Sequence, residues 1–349
     1  MRVLLATTFL NCLTGSELFL FDLARGLRSR GHDVTVWVRD LVAGAPLPRL
    51  LALDGVWVTG ELPPDGSADA VIFQLAAMFP VFAEHHLDVP RMAVCHGPKL
   101  PAEIAPADLP RTLHLALTRE GHDWLRRSGH ERVAFTGYGV DLDRFRPAGP
   151  LPPVPRRAVV HSKYADLALV RAACELAEVE LVELGATSWR DGFGVDHFSA
   201  IVEVGDDGTV IDHRPEVAGF HVERTLATAD VVLGIGRSAV EALAMGRNCI
   251  VFGYDDVGDG RVTDARLPAF SAVNFSSRAR AERFDAESLA RELLACDPAQ
   301  GERNRAFAEQ HYSLERFLDR IEGLLVRERG RPGARFSRPR LRPPAPRPM

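Results

Sequence analysis

The fold is decided near the amino terminus, by the stretch 2–38, which reads RVLLATTFLNCLTGSELFLFDLARGLRSRGHDVTVWV. Its first residues, RVLLA, form a continuous apolar run that predicts a buried strand, and DVTVWV at 33–38 predicts a second one. Between them, apolar residues recur with helical spacing from Leu18 to Leu27. A strand–helix–strand unit of this size is the building block of a parallel sheet.

The alternation of strands and helices continues along the chain and has one clear interruption. The stretch 148–157, AGPLPPVPRR, holds four prolines and shows no apolar periodicity, which is typical of a linker. An α/β pattern resumes after it, so we expect an α/β protein with two Rossmann-like, doubly wound parallel-sheet domains facing a central crevice. The expected parts are an N-terminal domain at 1–147, the linker at 148–157, a C-terminal domain at 158–300, C-terminal helices at 301–330 and a disordered Pro/Arg-rich tail at 331–349.

The net charge argues about the kind of partner this protein binds, and the cysteines indicate the cellular compartment. The 349 residues carry 42 Lys and Arg against 47 Asp and Glu, a net charge of −5. Six arginines lie in the tail, so the rest of the chain has a net charge of −11, which argues against a nucleic-acid partner. The five cysteines are scattered, which favours free thiols and a cytoplasmic location. No run reaches the ~18–20 apolar residues of a membrane span, although peripheral membrane contact stays open.

Two candidate site residues follow strands of the first half. Gly15 lies between the first strand and its helix, where free backbone N–H groups favour an anion. The same pattern also fits an ordinary strand–helix turn. His96 ends the strand RMAVCH, just before a Gly-Pro turn. There it can take part in proton transfer or bind a substrate hydroxyl, or it can serve the fold alone.

A second group of candidates lies in the stretch 234–239, GIGRSA, between a strand and a helix. It matches the dinucleotide fingerprint G-x-G-x-x-G/A, which by itself suggests an NAD enzyme. Backbone N–H groups at Gly236 and Ser238, with Arg237 beside them, suit a phosphate. One turn further, we expect Glu241 to point toward the crevice and accept two ribose hydroxyls; the alternative is a solvated helix residue.

Lys163 is the last candidate, and it directly follows the strand AVVHS. A cation at the carboxyl end of a strand faces the ligand crevice of an open α/β sheet. The alternative is that Lys163 is a solvated loop residue without a role in binding. Lys99 and Lys163 are the only lysines of the chain. The sequence shows no zinc-ligand spacing, no P-loop and no G-x-S-x-G elbow. We therefore expect neither a metal nor another cofactor.

Taken together, three stretches resemble the retaining glycosyltransferases of family 4, which have the GT-B fold. They are the opening strand–helix–strand unit, GYGVDLDRFRP at 137–147 and ADVVLGIGRSAVEALAMGRNCIVFG at 229–253. The resemblance runs, with gaps, from about residue 2 to 325 and is weak over 164–220. It implies transfer of a hexose from a nucleotide diphosphate sugar to a hydroxyl of a carbohydrate, lipid-linked or small-molecule acceptor.

The resemblance also assigns roles to the candidate residues of the second half. Glu241 matches the glutamate that contacts the donor ribose, and Gly236, Arg237 and Ser238 match the turn that meets the donor phosphates. Lys163 falls near the family's diphosphate-binding arginine. Lysine, arginine and a helix N-terminus can together carry the charge of a departing diphosphate, so catalysis is expected to need no metal.

In the first half, Gly15 falls in the family's glycine loop and His96 falls beside the transferred sugar, so His96 and Lys163 are the expected catalytic residues. One feature departs from the family, because Leu233 stands where the first of two motif glutamates is expected, eight positions before Glu241. Three other functions stay open: a sugar-nucleotide epimerase of the same fold, an NAD-dependent oxidoreductase and a non-catalytic protein with a degenerate site.

Overall fold

The computed structural model contains two seven-stranded sheets, one in each half of the chain. The predicted tail and the predicted site residue Lys163 lie outside the described residues. The described residues are 1–11, 13–42, 44–98, 103–109, 111–162, 164–190, 196–204 and 221–330.

The first half is a parallel sheet flanked by helices. Its strands are β1 (Arg2–Thr7), β2 (Asp33–Val38), β3 (Trp57–Thr59), β4 (Ala70–Gln74), β5 (Arg91–Cys95), β6 (Thr112–Ala116) and β7 (Val133–Phe135). Its helices are α1 (Gly15–Ser29), α2 (Pro46–Leu53), α3 (Met78–Glu84) and α4 (Arg119–Arg127). The strand order is β3-β2-β1-β4-β5-β6-β7, and every pair is parallel. The order reverses between β1 and β4, the switch point beyond which doubly wound sheets bind ligands.

The second half repeats this plan with a mixed sheet. Its strands are β8 (Arg157–His161), β9 (Glu180–Arg190), β10 (Asp196–Val204), β11 (Val231–Gly234), β12 (Asn248–Tyr254), β13 (Val257–Arg261) and β14 (Glu282–Arg283). Its helices are α5 (Leu167–Ala177), α6 (Val222–Thr228), α7 (Arg237–Ala244), α8 (Leu267–Ala272), α9 (Ala286–Leu294), α10 (Pro298–His311) and α11 (Leu314–Arg329).

Two doubly wound sheets were predicted, and the structure confirms them. In the second sheet, of order β10-β9-β8-β11-β12-β13-β14, the central strands β9, β8, β11 and β12 are parallel. Strands β10 and β13 run antiparallel to the central strands, and β14 pairs antiparallel with β13, unlike the all-parallel sheet that the sequence predicts. At one edge the cause is a two-residue reversal between β12 and β13, where Asp255 adopts a left-handed φ of 51°.

The last two helices connect the halves a second time. Helix α10 packs on α7 of the second half, whereas α11 packs on α1 of the first half. The α1–α11 approach is close, because a Cβ at Gly26 would lie only 2.4 Å from Cδ1 of Leu318. In the connection between α10 and α11, the carbonyl of Tyr312 accepts a hydrogen bond from the backbone N–H of Val140 at 2.8 Å. The chain thus crosses between the halves at the linker and again beside Val140.

The prediction of a cytoplasmic location depended on free cysteine thiols, and the sequence also showed no apolar run long enough for a membrane span. Cys95, Cys174, Cys249 and Cys296 are buried free thiols, and Cys12 lies outside the described residues. Within the part of the chain that the structure describes, no helix combines the length and the apolar character needed to cross a bilayer.

Candidate functional site

A cavity of about 530 Å³ lies between the two halves, at the carboxyl ends of β1, β5, β8 and β11. This volume is within the ~300–1,000 Å³ range of small-molecule sites. The sheets explain the position, since parallel strands bring all their carboxyl ends to one edge. The predicted site residues on the cavity wall are Gly15, His96, Gly236, Arg237 and Ser238.

Gly15 is the first residue of α1, and Thr14 is the N-cap. A Cβ at Gly15 would meet no atom within 4 Å, so this position faces open space. The Thr14 hydroxyl donates to the carboxylate of Glu17, which is only 5% exposed. A carboxylate in the first turn already offsets part of the positive end of the helix. The anion site expected at Gly15 therefore has a competing negative charge beside it.

His96 follows β5 and lines the cavity. Its ring meets the ring of Phe19 edge-on, with 5.2 Å between centroids. Nε2 of His96 lies 2.7 Å from Oε1 of Gln74, the last residue of β4. Burial lowers the pKa of His96 to about 4, so the imidazole is neutral at physiological pH. A neutral imidazole in a crevice can accept a hydrogen bond from a hydroxyl.

Arg237 joins the two halves through a buried ion-pair network. Its Nη2 donates to Oδ2 of Asp22 in α1 at 2.6 Å, and its Nε donates to Oε1 of Glu241 at 2.7 Å. Burial acts to lower the pKa of Arg237, but the two carboxylates outweigh it and the pKa is raised. Burial raises the pKa of Asp22, and Arg237 opposes that shift. Two of the three guanidinium nitrogens are thus committed to carboxylates of the protein.

Glu241 does not lie on the cavity wall, contrary to the expectation that its carboxylate points toward the crevice. Its side chain is 3% exposed and is held by Arg237, one turn earlier in α7. All the other residues of α7 from Ala239 onward are also buried, so this part of the helix is enclosed by the core. A contact between Glu241 and a ribose stays a prediction, and it requires the carboxylate to leave Arg237 or share it.

Lys163 lies outside the described residues, but the residues on either side of it are placed. Ser162 and Tyr164 both line the cavity. The Ser162 hydroxyl donates to the carbonyl of Gly253 at 3.1 Å. The ring of Tyr164 stacks on that of Tyr254, with 5.3 Å between centroids and 20° between planes. The described residues on either side of Lys163 are therefore part of the cavity wall.

Sequence reasoning missed several polar residues of this wall. Four of its residues contribute buried polar atoms that have no hydrogen-bond partner among the described residues: Tyr138 Oη, His161 Nδ1, Arg237 Nη1 and Asn274 Oδ1. Buried polar atoms are usually paired, so each exception asks for an explanation. Twelve further atoms of this kind belong to described residues that do not line the cavity. Tyr138 lies within GYGVDLDRFRP and His161 is the fourth residue of AVVHS, so both belong to stretches that the sequence-based predictions already use.

The segment after α8 is strained and also borders the cavity. Asn274, Phe275 and Ser277 have left-handed φ angles of 59°, 49° and 56°. The backbone N–H of Gly236 donates to the carbonyl of Phe275 at 2.9 Å, and that of Ser238 donates to the carbonyl of Ile235 at 3.2 Å. Both N–H groups expected to bind phosphate are therefore used within the protein. Strained non-glycine residues persist where surrounding contacts fix them, often at functional sites.

A second ion pair crosses between the halves at this cavity. Arg278 donates from Nη1 to Oε1 of Glu120 in α4 at 2.6 Å. On the first-half wall, burial raises the pKa of Glu103 to about 7. Both described arginines of the wall, Arg237 and Arg278, are therefore paired with carboxylates. Among the described residues, no group of three or more His, Cys, Asp or Glu is arranged to hold a metal ion.

Sequence comparisons find no match: no protein-family model and no curated protein matches this chain. Solved structures do match. A glycosyltransferase from Rickettsia africae superimposes with a TM-score of 0.57 at 13% identity, covering 93% of this chain and 98% of its own. The lipopolysaccharide outer core galactosyltransferase WaaB gives 0.55 at 11% identity, covering 94% and 100%.

A UDP-GlcNAc 2-epimerase from Neisseria meningitidis, solved with UDP-GlcNAc, is similar to the same degree, with a TM-score of 0.54 at 11% identity and coverage of 94% and 100%. At such low identity these likenesses show a shared fold. The fold extends over nearly the whole chain and consists of two doubly wound sheets on either side of a crevice. The chain therefore has the GT-B fold.

Proposed function

We propose that this protein is a cytoplasmic glycosyltransferase that moves a hexose from a nucleotide diphosphate sugar to an acceptor hydroxyl. The observation that carries the proposal is that four residues of the cavity wall each have a buried polar atom without a hydrogen-bond partner among the described residues. Each unpaired buried atom costs about 1–3 kcal/mol, so a bound ligand that pairs them gains affinity. Arg237 Nη1 donates, Asn274 Oδ1 accepts and Tyr138 Oη can do either. This mixture suits a ligand with both anionic oxygens and hydroxyls.

The donor is proposed to bind mainly to the second half, with its diphosphate near the 236–238 turn and its ribose at Glu241. Because Arg237 and Arg278 already pair with carboxylates, the diphosphate needs a further cation. Lys163, between two residues of the cavity wall, is our candidate for it. Catalysis would then be electrostatic stabilisation of the departing diphosphate, and the proposal invokes no metal. We also propose, from the resemblance to family 4 glycosyltransferases, that the transfer retains the configuration of the sugar.

The acceptor is proposed to lie against the first half, near Gly15 and His96. A neutral His96 can accept a hydrogen bond from a hydroxyl, which suits a carbohydrate, lipid-linked or small-molecule acceptor. The transferred sugar would lie between the two halves, since the cavity is bounded by both.

A thermal-shift screen against UDP, GDP, ADP, TDP and NAD tests the proposal directly. A ligand at a hundred times its Kd adds about 2.7 kcal/mol of stability, which is easily detected. We expect one nucleoside diphosphate to bind, and Lys163→Ala to weaken it while leaving the free nucleoside unaffected. Equal loss for both ligands would assign Lys163 to the fold. Binding of NAD alone would indicate an oxidoreductase, and no binding by any ligand would indicate a non-catalytic protein.

An epimerase is the second candidate, because the epimerase structure matches this chain as well as the glycosyltransferases do. Incubation with the nucleotide sugar that binds, with and without candidate acceptors, separates the two functions. A glycosyltransferase releases the nucleoside diphosphate together with a glycosylated acceptor. An epimerase yields an altered sugar, or the free sugar and the nucleotide, without any acceptor.

A further inference from the structure

Gln74 lies at the switch point of the first sheet and contacts three groups of the candidate site. It is the last residue of β4 and is fully buried. Its Nε2 donates to Oγ1 of Thr7 and to the carbonyl of Ser16, each at 3.1 Å. Its Oε1 lies 2.7 Å from Nε2 of His96. One amide thus connects the end of β1, the first turn of α1 and the histidine after β5.

The contacts of Gln74 fix which way its amide is oriented. The carbonyl of Ser16 can only accept a hydrogen bond, so the atom facing it must be the amide nitrogen. The atom facing His96 is then the amide oxygen, which can only accept. It follows that Nε2 of His96 carries the hydrogen. The neutral ring therefore keeps its lone pair on Nδ1.

We propose that Gln74 is a positioning residue that holds His96 in the neutral Nε2–H tautomer, so that Nδ1 accepts a hydrogen bond from a ligand hydroxyl. A neutral histidine without such a partner exchanges between its two tautomers, and only one of them has an acceptor at Nδ1. The use of this acceptor for a sugar or acceptor hydroxyl rests on the proposed function. The fixation of the tautomer does not, and it can be measured on the protein alone.

The first test compares wild type with Gln74→Met by NMR of protein labelled with ¹⁵N-histidine, with the His96 signals assigned from His96→Asn. We expect wild-type His96 to be entirely the Nε2–H tautomer at neutral pH and to be mixed in Gln74→Met. Gln300→Met is the matched control. Gln300 is also buried and donates to Asp264 and Asn304, but it does not line the cavity. It should lose comparable stability and leave the His96 signals unchanged.

Should Gln74→Met fail to fold, Gln74→Glu gives an independent measurement. A carboxyl group at this position, protonated so that it donates to the Ser16 carbonyl, still offers its carbonyl oxygen opposite Nε2, so the tautomer should persist. An unchanged tautomer in Gln74→Met, or a mixed tautomer in a folded Gln74→Glu, would overturn the proposal.

Turnover of the nucleotide sugar that binds separates this inference from the proposed function. If the tautomer is released in Gln74→Met and kcat falls in proportion to the lost fraction of the Nε2–H form, with donor KM unchanged, both the inference and the role proposed for His96 hold. If the tautomer is released but turnover is unaffected, Gln74 still positions His96, and the role proposed for His96 in transfer is wrong.

Discussion

Arg237 of α7 and Asp22 of α1 form a 2.6 Å ion pair that joins the two halves of the protein beside the candidate site. The guanidinium is 11% exposed and the carboxylate is 8% exposed, so water screens the pair poorly. Glu241 completes the network from the same helix. Separation of the halves would leave Asp22 without its ion-pair partner, while Arg237 would keep Glu241, so the Asp22–Arg237 pair favours a closed crevice.

Replacement of Arg237 tests this network. Arg237→Met leaves Asp22 and Glu241 as buried carboxylates without their cation, and we expect a loss of about 3–5 kcal/mol in the free energy of unfolding at neutral pH. Without the cation, nothing from Arg237 opposes the effect of burial, so the pKa of Asp22 rises further. The protonated form of Asp22 is stable in the core, so the loss should shrink as the pH falls toward 4. Urea unfolding at several pH values measures both effects.

Asp22→Asn is the matched variant, because it keeps the shape and an acceptor oxygen while Glu241 still neutralises Arg237. It should cost clearly less than Arg237→Met. Equal losses in the two variants would mean that the charge network contributes little and that packing accounts for the effect.

Tyr138→Phe separates a ligand contact from a structural role. The Tyr138 hydroxyl is buried and has no partner among the described residues, so removing it should leave the free energy of unfolding unchanged or slightly higher. Affinity for the nucleotide sugar should fall about tenfold, which corresponds to ~1.4 kcal/mol. Isothermal titration and urea unfolding provide the two readouts.

The neighbouring Tyr312 supplies the control for Tyr138. Its ring lies 5.3 Å from that of Tyr138, and its hydroxyl is 2.8 Å from the Ser271 hydroxyl. Tyr312→Phe should therefore cost about 1 kcal/mol of stability and leave ligand affinity unchanged. If both variants lose stability but keep affinity, the Tyr138 hydroxyl is not part of the binding site.

Glu241→Gln tests the expected ribose contact. Two hydroxyl-to-carboxylate hydrogen bonds are charge-assisted, and their weakening should reduce donor affinity about tenfold to a hundredfold. Because Glu241 also holds Arg237, stability should fall as well, by about 1–3 kcal/mol. A 2′,3′-dideoxy nucleotide lacks both hydroxyls and should bind wild type and variant equally. Unchanged affinity for the normal nucleotide would mean that Glu241 does not contact the ribose and serves only as the ion-pair partner of Arg237.

Buried histidines should make the protein sensitive to mild acid. Burial lowers the pKa of His96 and of His114 from 6.5 to about 4. The unfolded chain therefore binds protons that the folded protein does not, and the free energy of unfolding should decrease as the pH falls from about 6.5 to about 4. Each such histidine contributes a slope of at most ~1.4 kcal/mol per pH unit. His114→Asn should make the decline shallower, and titration of His114 near 6.5 would contradict this explanation.

The sequence predicted the two sheets because buried parallel strands have an unmistakable local pattern, as in RVLLAT of β1. It also predicted that Gly15, His96 and the 236–238 turn share one cavity. The rule that the carboxyl ends of parallel strands meet at one edge of a sheet accounts for Gly15 and His96 within the first sheet. That this edge faces the 236–238 turn of the second sheet was implied by the resemblance to the GT-B glycosyltransferases.

The remaining features depend on contacts that no local pattern encodes. Gln74 ends the apolar strand AVIFQ, and nothing near it in the sequence points to His96 as its partner. Asp22 and Arg237 are 215 positions apart. The left-handed conformation of Phe275 is held by a hydrogen bond from Gly236, so it reflects tertiary structure and not the preference of phenylalanine.

Helix α11 belongs by sequence to the end of the second half but packs on the first. Proteolytic cleavage within 148–157 would therefore leave two fragments that stay associated, because the larger one still carries 314–329 on the surface of the smaller. For the same reason, residues 1–147 expressed alone would expose the apolar surface that Phe317, Leu318 and Ile321 cover, and co-expression with the rest of the chain should restore a folded complex. A split version of this protein is thus expected to reassemble without any engineered interface.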